Sequence, residues 1–123
     1  MKNQQPRRHK NLTDSFKDAT SGFMLALWQE RNLHIQLFAA VAVLVFSLMI
    51  HVSLIELMVV IVLIGGVISL ELVNTAIERI VDLVTKEEHP MAKAAKDTAA
   101  AAVWWFSVIA VIAYIFILLH TLG

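Results

Sequence analysis

The chain has 123 residues, and 59% of them are hydrophobic, with a mean hydropathy of +0.72. A soluble fold this short cannot bury that much apolar surface, so the bilayer is the expected solvent, and the length fits one domain. Formal charge sums to zero, and there is no cysteine, which excludes disulfides, a thiol nucleophile and thiolate metal sites.

Residues 1–11 carry Lys2, Arg7, Arg8 and Lys10 and read as a basic, flexible tail able to touch anionic headgroups. Nothing in this polar stretch resembles a secretory signal peptide. Leu12, Phe16, Ala19, Phe23, Ala26 and Glu30 then step by four and three, which predicts an amphipathic surface helix over 12–30 lying in the interface. Asp14 or Thr13 is the expected cap, and Trp28 is expected near headgroup level.

Three spans follow, at about 32–50, 53–84 and 91–120. The apolar cores Leu37–Ile50 and Leu57–Leu70 each fall short of the ~20 residues a bilayer needs, so the first extends backward and the second forward. His51-Val52-Ser53 reads as a short turn between them. Gly65-Gly66 predicts a close helix approach. Lys86–Pro90 reads as a loop, with Pro90 suited to the first turn of the last helix. Residues 12–123 are therefore expected to form a single integral-membrane domain of all-α class: a surface helix and three transmembrane helices.

All ten Lys and Arg fall at residues 2–17, Arg31 and 79–96, which three spans place on one side. The positive-inside rule makes that side, with the N-terminus, cytoplasmic. No feature suggests a nucleic-acid partner.

The chemistry concentrates at the end of the second span. Glu71, Asn74, Glu78 and Asp82 are spaced i, i+3, i+7 and i+11, within roughly 60° of one line along a helix. Carboxylates at a bilayer mark a functional site by default. Glu30 and Lys96-Asp97 converge on the same interface. Paired acids suit Mg²⁺, which takes one or two carboxylates plus substrate phosphates. A lysine suits phosphate as a point charge, and a further carboxylate could accept an alcohol proton. Together these are the requirements of phosphoryl transfer from Mg-ATP. Glu71 lies deepest, with Glu78 and Asp82 ~10 and ~16 Å further toward water at 1.5 Å per residue. There is no P-loop segment and no His-Arg-Asp catalytic loop, so both of those kinase folds are excluded. Two other readings stand beside this one. The acids could form a structural ion-pair network with Arg79, Lys93 and Lys96, or relay ions in a small channel or transporter.

Glu71-Leu-Val-Asn74-Thr-Ala-Ile-Glu78-Arg-Ile-Val-Asp82, Ala94-Ala95-Lys96-Asp97 and Glu30-Arg31-Asn32 resemble the signatures of the prokaryotic diacylglycerol kinase family. These are small integral-membrane lipid kinases, and the resemblance covers about residues 12–120. It implies a homotrimer in the bacterial inner membrane, with cytoplasmic active sites shared between neighbouring subunits. By position, it implies Glu71 as general base on a lipid hydroxyl and Glu30 and Glu78 as ligands of a metal bridging to ATP. Asn74 would sit near the reacting phosphate and Lys96 on phosphate, with Asp97 on the nucleotide. Asp82 would serve a nucleotide contact or a helix anchor. Glu30-Arg31-Asn32, Glu71-Leu72, Asp82-Leu83-Val84-Thr85 and His89-Pro90 resemble the undecaprenol kinase branch more than the diacylglycerol branch, although Leu33-His34-Ile35-Gln36 departs from that branch's usual continuation after Glu-Arg-Asn. Gln36 cannot supply the acid that the diacylglycerol branch tends to have near that place. Undecaprenol is therefore the expected acceptor, with diacylglycerol the alternative.

Overall fold

The structure is a computed structural model and describes residues 11–123. The tail predicted over residues 1–11 lies outside the described residues except for Asn11. Four helices follow in order: α1 (Leu12–Gln29), α2 (Arg31–Met49), α3 (Leu54–Val84) and α4 (Pro90–Leu122). The fold is all-α, and α2, α3 and α4 are each long and apolar enough to cross a membrane.

Each boundary has a local cause. Asn11 caps α1 by accepting from the Asp14 amide at 2.8 Å, so the cap falls neither on Thr13 nor on Asp14. Its one-carbon amide reaches the amide three residues on, and Asp14 is left to complement the helix dipole from the first turn. α1 stops at Gln29, one residue short of the sequence expectation. Glu30 is extended, at φ −111° and ψ 109°. The periodic stripe continued to Glu30 because α2 restarts at once; the joint breaks the axis without breaking the pattern.

At the far end of α2, His51 is left-handed at φ 58°, and its amide bonds Leu48 O while the Val52 amide bonds Ser47 O. That paired closure is a Schellman motif with histidine where glycine is commonest. Ser53 then opens α3 with a full capping box against Glu56. His89 caps α4 through Nδ1, with Pro90 at its first position.

Helix lengths set the depth of everything else. The 19 residues of α2 span ~28 Å, close to the ~30 Å hydrocarbon core. The 31 residues of α3 reach ~46 Å, and the tight turn holds its start level with the far end of α2. The excess therefore emerges on the opposite side, around and beyond Glu71.

α3 is the centre of the bundle. It packs against α4 and α2, and α1 rests on α2 and α3. The described core is small: Ala26, Leu33, Val60, Val103 and Ile117. Large apolar side chains such as Phe38, Val62, Trp104 and Phe116 face outward, as expected where lipid is the solvent. His120 lies within α4, and its Nδ1 meets Glu56 at 3.3 Å. The length of α4 carries it to the far-side start of α3.

Gly66 lies against the Phe106 ring, whereas the space outside Gly65 is open. A Cβ at Gly66 would collide with that ring. Gly66→Val should therefore destabilise by about 1–3 kcal/mol through overpacking, and Gly65→Ala should not. Thermal unfolding in detergent should rank Gly65→Ala at or above the parent and Gly66→Val below it, with Phe106→Ala recovering part of the loss.

Candidate active site

The stripe on α3 grades from buried to wet. Glu71 is 4% exposed, Asn74 7% and Thr75 3%, while Glu78 is half-buried and Asp82 exposed. Helical spacing stacks these groups on one face, and the overhang of α3 carries that face from the apolar core outward. A buried carboxylate without partners would cost several kcal/mol. Glu71 has one partner: Gln36 Nε2 of α2 donates to Glu71 Oε2 at 3.2 Å. One turn on, Asn74 Nδ2 donates to Glu78 Oε1 at 3.3 Å. Neither Glu71 nor Glu78 takes part in an ion pair among the described residues. The ion-pair network therefore does not account for the inner half of the stripe.

Glu30 joins this group from the α1–α2 joint, where its charge and that of Glu78 both act on Glu71. The joint is held from two directions. Arg79 Nη2 of α3 donates to Gln29 Oε1 at 2.6 Å, and the His34 ring meets the Leu27 carbonyl. Arg79 thus anchors the residue next to Glu30 and not an acid of the stripe.

The remaining expected residues form a separate, outer group. Lys96 Nζ meets Asp82 Oδ1 at 2.6 Å, and Lys93 Nζ meets Asp97 Oδ2 at 2.5 Å. They line a wet hollow of about 630 Å³ beneath the α3–α4 loop, walled also by Glu88 and His89. Asp82 lies eleven residues from Glu71, or ~16 Å along α3. Within one chain, then, Glu71 is joined to Gln36 and Asn74 to Glu78, Glu30 stands at the α1–α2 joint, and Asp82, Lys96 and Asp97 form a second cluster.

No three acidic or histidine side chains among the described residues close up as a complete metal cage. The donors that are present are hard oxygens: Glu30, Glu78 and the buried Asn74 Oδ1, which has no hydrogen-bond partner. That set fits Mg²⁺, which keeps open positions for phosphate oxygens and seldom takes an all-protein cage.

Gln36 is the residue that sequence reasoning missed. Its type suggests no acid–base role, yet it holds Glu71. Its signal was position: with Leu33, Ala40, Val43 and Ser47 it lies on one face of α2.

The family model described as prokaryotic diacylglycerol kinase matches residues 17–118. The chain belongs to that family. It is similar to an undecaprenol kinase of Bacillus subtilis (strain 168), with 48% identity over 108 residues, covering 88% of each chain. It is also similar to a diacylglycerol kinase of Synechocystis sp., with 41% identity over 103 residues, covering 83% of this chain and 59% of that one. As a member of the prokaryotic diacylglycerol kinase family the protein is a lipid kinase, a multi-pass membrane enzyme that takes phosphate from a nucleotide donor. The family assignment sets aside the channel or transporter reading.

The Lys96–Asp82 pair is 38% and 55% exposed on its two sides. Exposed pairs contribute about 0–1 kcal/mol. Lys96→Met should therefore leave thermal unfolding within about 1 kcal/mol of the parent while raising the KM for nucleotide. Calorimetry and steady-state kinetics on one preparation would separate the two effects.

Proposed function

We propose that this protein transfers the γ-phosphoryl group of ATP to undecaprenol, giving undecaprenyl phosphate and ADP. The observation that carries this is a carboxylate, Glu71, buried at the apolar edge of a stripe that opens toward water, in a chain 48% identical to an undecaprenol kinase. A lipid alcohol can reach Glu71 from the membrane, and a nucleotide can reach Glu78 and the outer cluster from the cytoplasm. Both substrates then meet without either leaving its own phase.

In this reading Glu71 accepts the hydroxyl proton. The alcohol oxygen attacks the γ-phosphorus in line, and ADP leaves with the bridging oxygen. Gln36 fixes the carboxylate rotamer, so the base is already oriented when the alcohol arrives. Asn74 lies near the reacting phosphate, with Nδ2 on Glu78 and the unpaired Oδ1 free to act as an acceptor or metal donor. Glu30 and Glu78 would hold Mg²⁺, which when bound neutralises phosphate charge. Lys96, released from Asp82 or shared with it, contacts phosphate. Asp82 and Asp97 face the nucleotide in the outer hollow.

The two clusters are ~16 Å apart along α3 in one chain. A homotrimer is what the family resemblance implies, and in it neighbouring copies would complete each site. The clustering of Lys and Arg on this side supports a cytoplasmic active site in the bacterial inner membrane.

The test is transfer of labelled phosphate from Mg-ATP in mixed micelles, comparing undecaprenol with diacylglycerol at equal surface dilution. Undecaprenol should be the better acceptor; preference for diacylglycerol, as named for the Synechocystis relative, would overturn the choice of lipid. Glu71→Gln should lower kcat by ~10²–10⁴, the range for loss of a general base. It should not lower thermal stability, because it removes a buried charge. A residue retained for structure alone would show the opposite pair of effects.

A further inference from the structure

We infer that Arg79 is a positioning residue: by holding Gln29 it sets the distance between the Glu30 and Glu78 carboxylates. The inference deepens the reading of those two acids as ligands of Mg²⁺ and rests on it. Glu30 has little of its own to place it. Its backbone is extended between α1 and α2, and its amide bonds the Ala26 carbonyl at 2.8 Å. It stands at the N-cap of α2, yet its side chain makes no capping bond. Glutamate is not among the residues that cap well from that position. Nor does its half-buried carboxylate take part in an ion pair among the described residues. Where that group sits therefore follows from the joint, and the joint from its neighbours.

A side-chain bond crosses from α3 to the joint: Arg79 Nη2 donates to Gln29 Oε1 at 2.6 Å. Each end of this bond is next in sequence to an acid, Gln29 to Glu30 and Arg79 to Glu78. Consecutive Cα atoms are ~3.8 Å apart, so a bond between 29 and 79 constrains 30 against 78. Around α3 the two side chains diverge by ~100°, which lets Arg79 turn to α1 while Glu78 stays on the stripe. The His34 ring of α2 holds the same turn of α1 through the Leu27 carbonyl. Of the two holds, the Arg79 bond refers the joint to the helix that carries Glu78.

The choice of partner fits this role. A guanidinium usually takes a carboxylate, often through two parallel bonds. Pairing with Glu30 or Glu78 would occupy oxygens that a divalent cation needs. Bonding the neutral amide of Gln29 leaves both carboxylates open and keeps a positive charge beside two groups that repel each other. The sign of the effect separates positioning from charge. Removing a cation beside an acid pair, by Coulomb's law alone, strengthens its hold on a divalent ion. Removing a positioning group weakens it, and groups behind the ligands contribute about 10–100-fold in metal affinity.

The test titrates the full-length protein in nanodiscs with Mn²⁺, a paramagnetic stand-in for Mg²⁺, in the presence of a non-hydrolysable ATP analogue. Arg79→Met and Gln29→Met should each weaken Mn²⁺ binding about tenfold, although only the first removes a charge. The double variant should lose no more than either single one, as for two halves of one interaction. In turnover, the KM for Mg-ATP should rise and the KM for the lipid acceptor should not. With no native cysteine, a nitroxide on Leu25→Cys, exposed in the last turns of α1, reports the joint without metal. Its mobility should increase in both variants. Tighter Mn²⁺ binding by Arg79→Met, a loss in Arg79→Met that Gln29→Met does not share, additive losses, or an unchanged nitroxide would each overturn the inference. Glu30→Gln should weaken Mn²⁺ binding by itself, with Arg79→Met adding nothing further. If Glu30→Gln leaves Mn²⁺ binding intact, the metal reading of Glu30 fails, and the nitroxide alone decides whether Arg79 holds the joint.

Discussion

A carboxylate held against hydrocarbon is the constraint around which this protein is organised. Glu71 is 4% exposed and sits where the apolar part of α3 ends. Water there is too scarce to solvate it fully, and no cation among the described residues neutralises it. One neutral amide, Gln36 Nε2, holds it in place. The partner is neutral, so the carboxylate is oriented without being paired to an opposite charge.

Depth is controlled from the opposite side of the membrane. The Schellman closure at His51 and the capping box at Ser53 fix where α3 begins. From there, 1.5 Å per residue decides which group lies at which level. Seventeen residues on, Glu71 arrives near the level of Gln36, in the second turn of α2. The remaining turns carry Asn74, Glu78 and Asp82 into progressively wetter surroundings. The far-side bond between His120 and Glu56 ties α4 to the same starting level. A turn with no chemistry of its own thereby sets the height of the site.

Much of this was legible in the sequence. The apolar runs named the spans, because hydropathy acts locally. The 71–82 stripe was legible because a helix converts spacing directly into a face. Less could be read where two elements meet. The hydrogen bond from Gln36 to Glu71 joins residues 35 apart, and their register depends on the turn between them. Glu30 was expected at the end of a helix and stands between two, since a periodic pattern does not reveal a change of axis. The division of Asp82 and Lys96 from Glu71 is likewise a matter of distance along α3, which spacing gave, and of partners on α4, which it did not.

The joint at Glu30 has a mechanical consequence. Its backbone belongs to neither helix, yet its carboxylate acts on Glu71, and Arg79 grips the residue beside it. α1 rests on α2 and α3 with Ala26 buried, while Leu12 and Phe16 at its start stay exposed. Arg79 on Gln29 and the His34 ring on the Leu27 carbonyl clamp the last turn of α1 to the spans. The placement of the Glu30 backbone is thereby inherited from the bundle and not from the surface on which the helix lies.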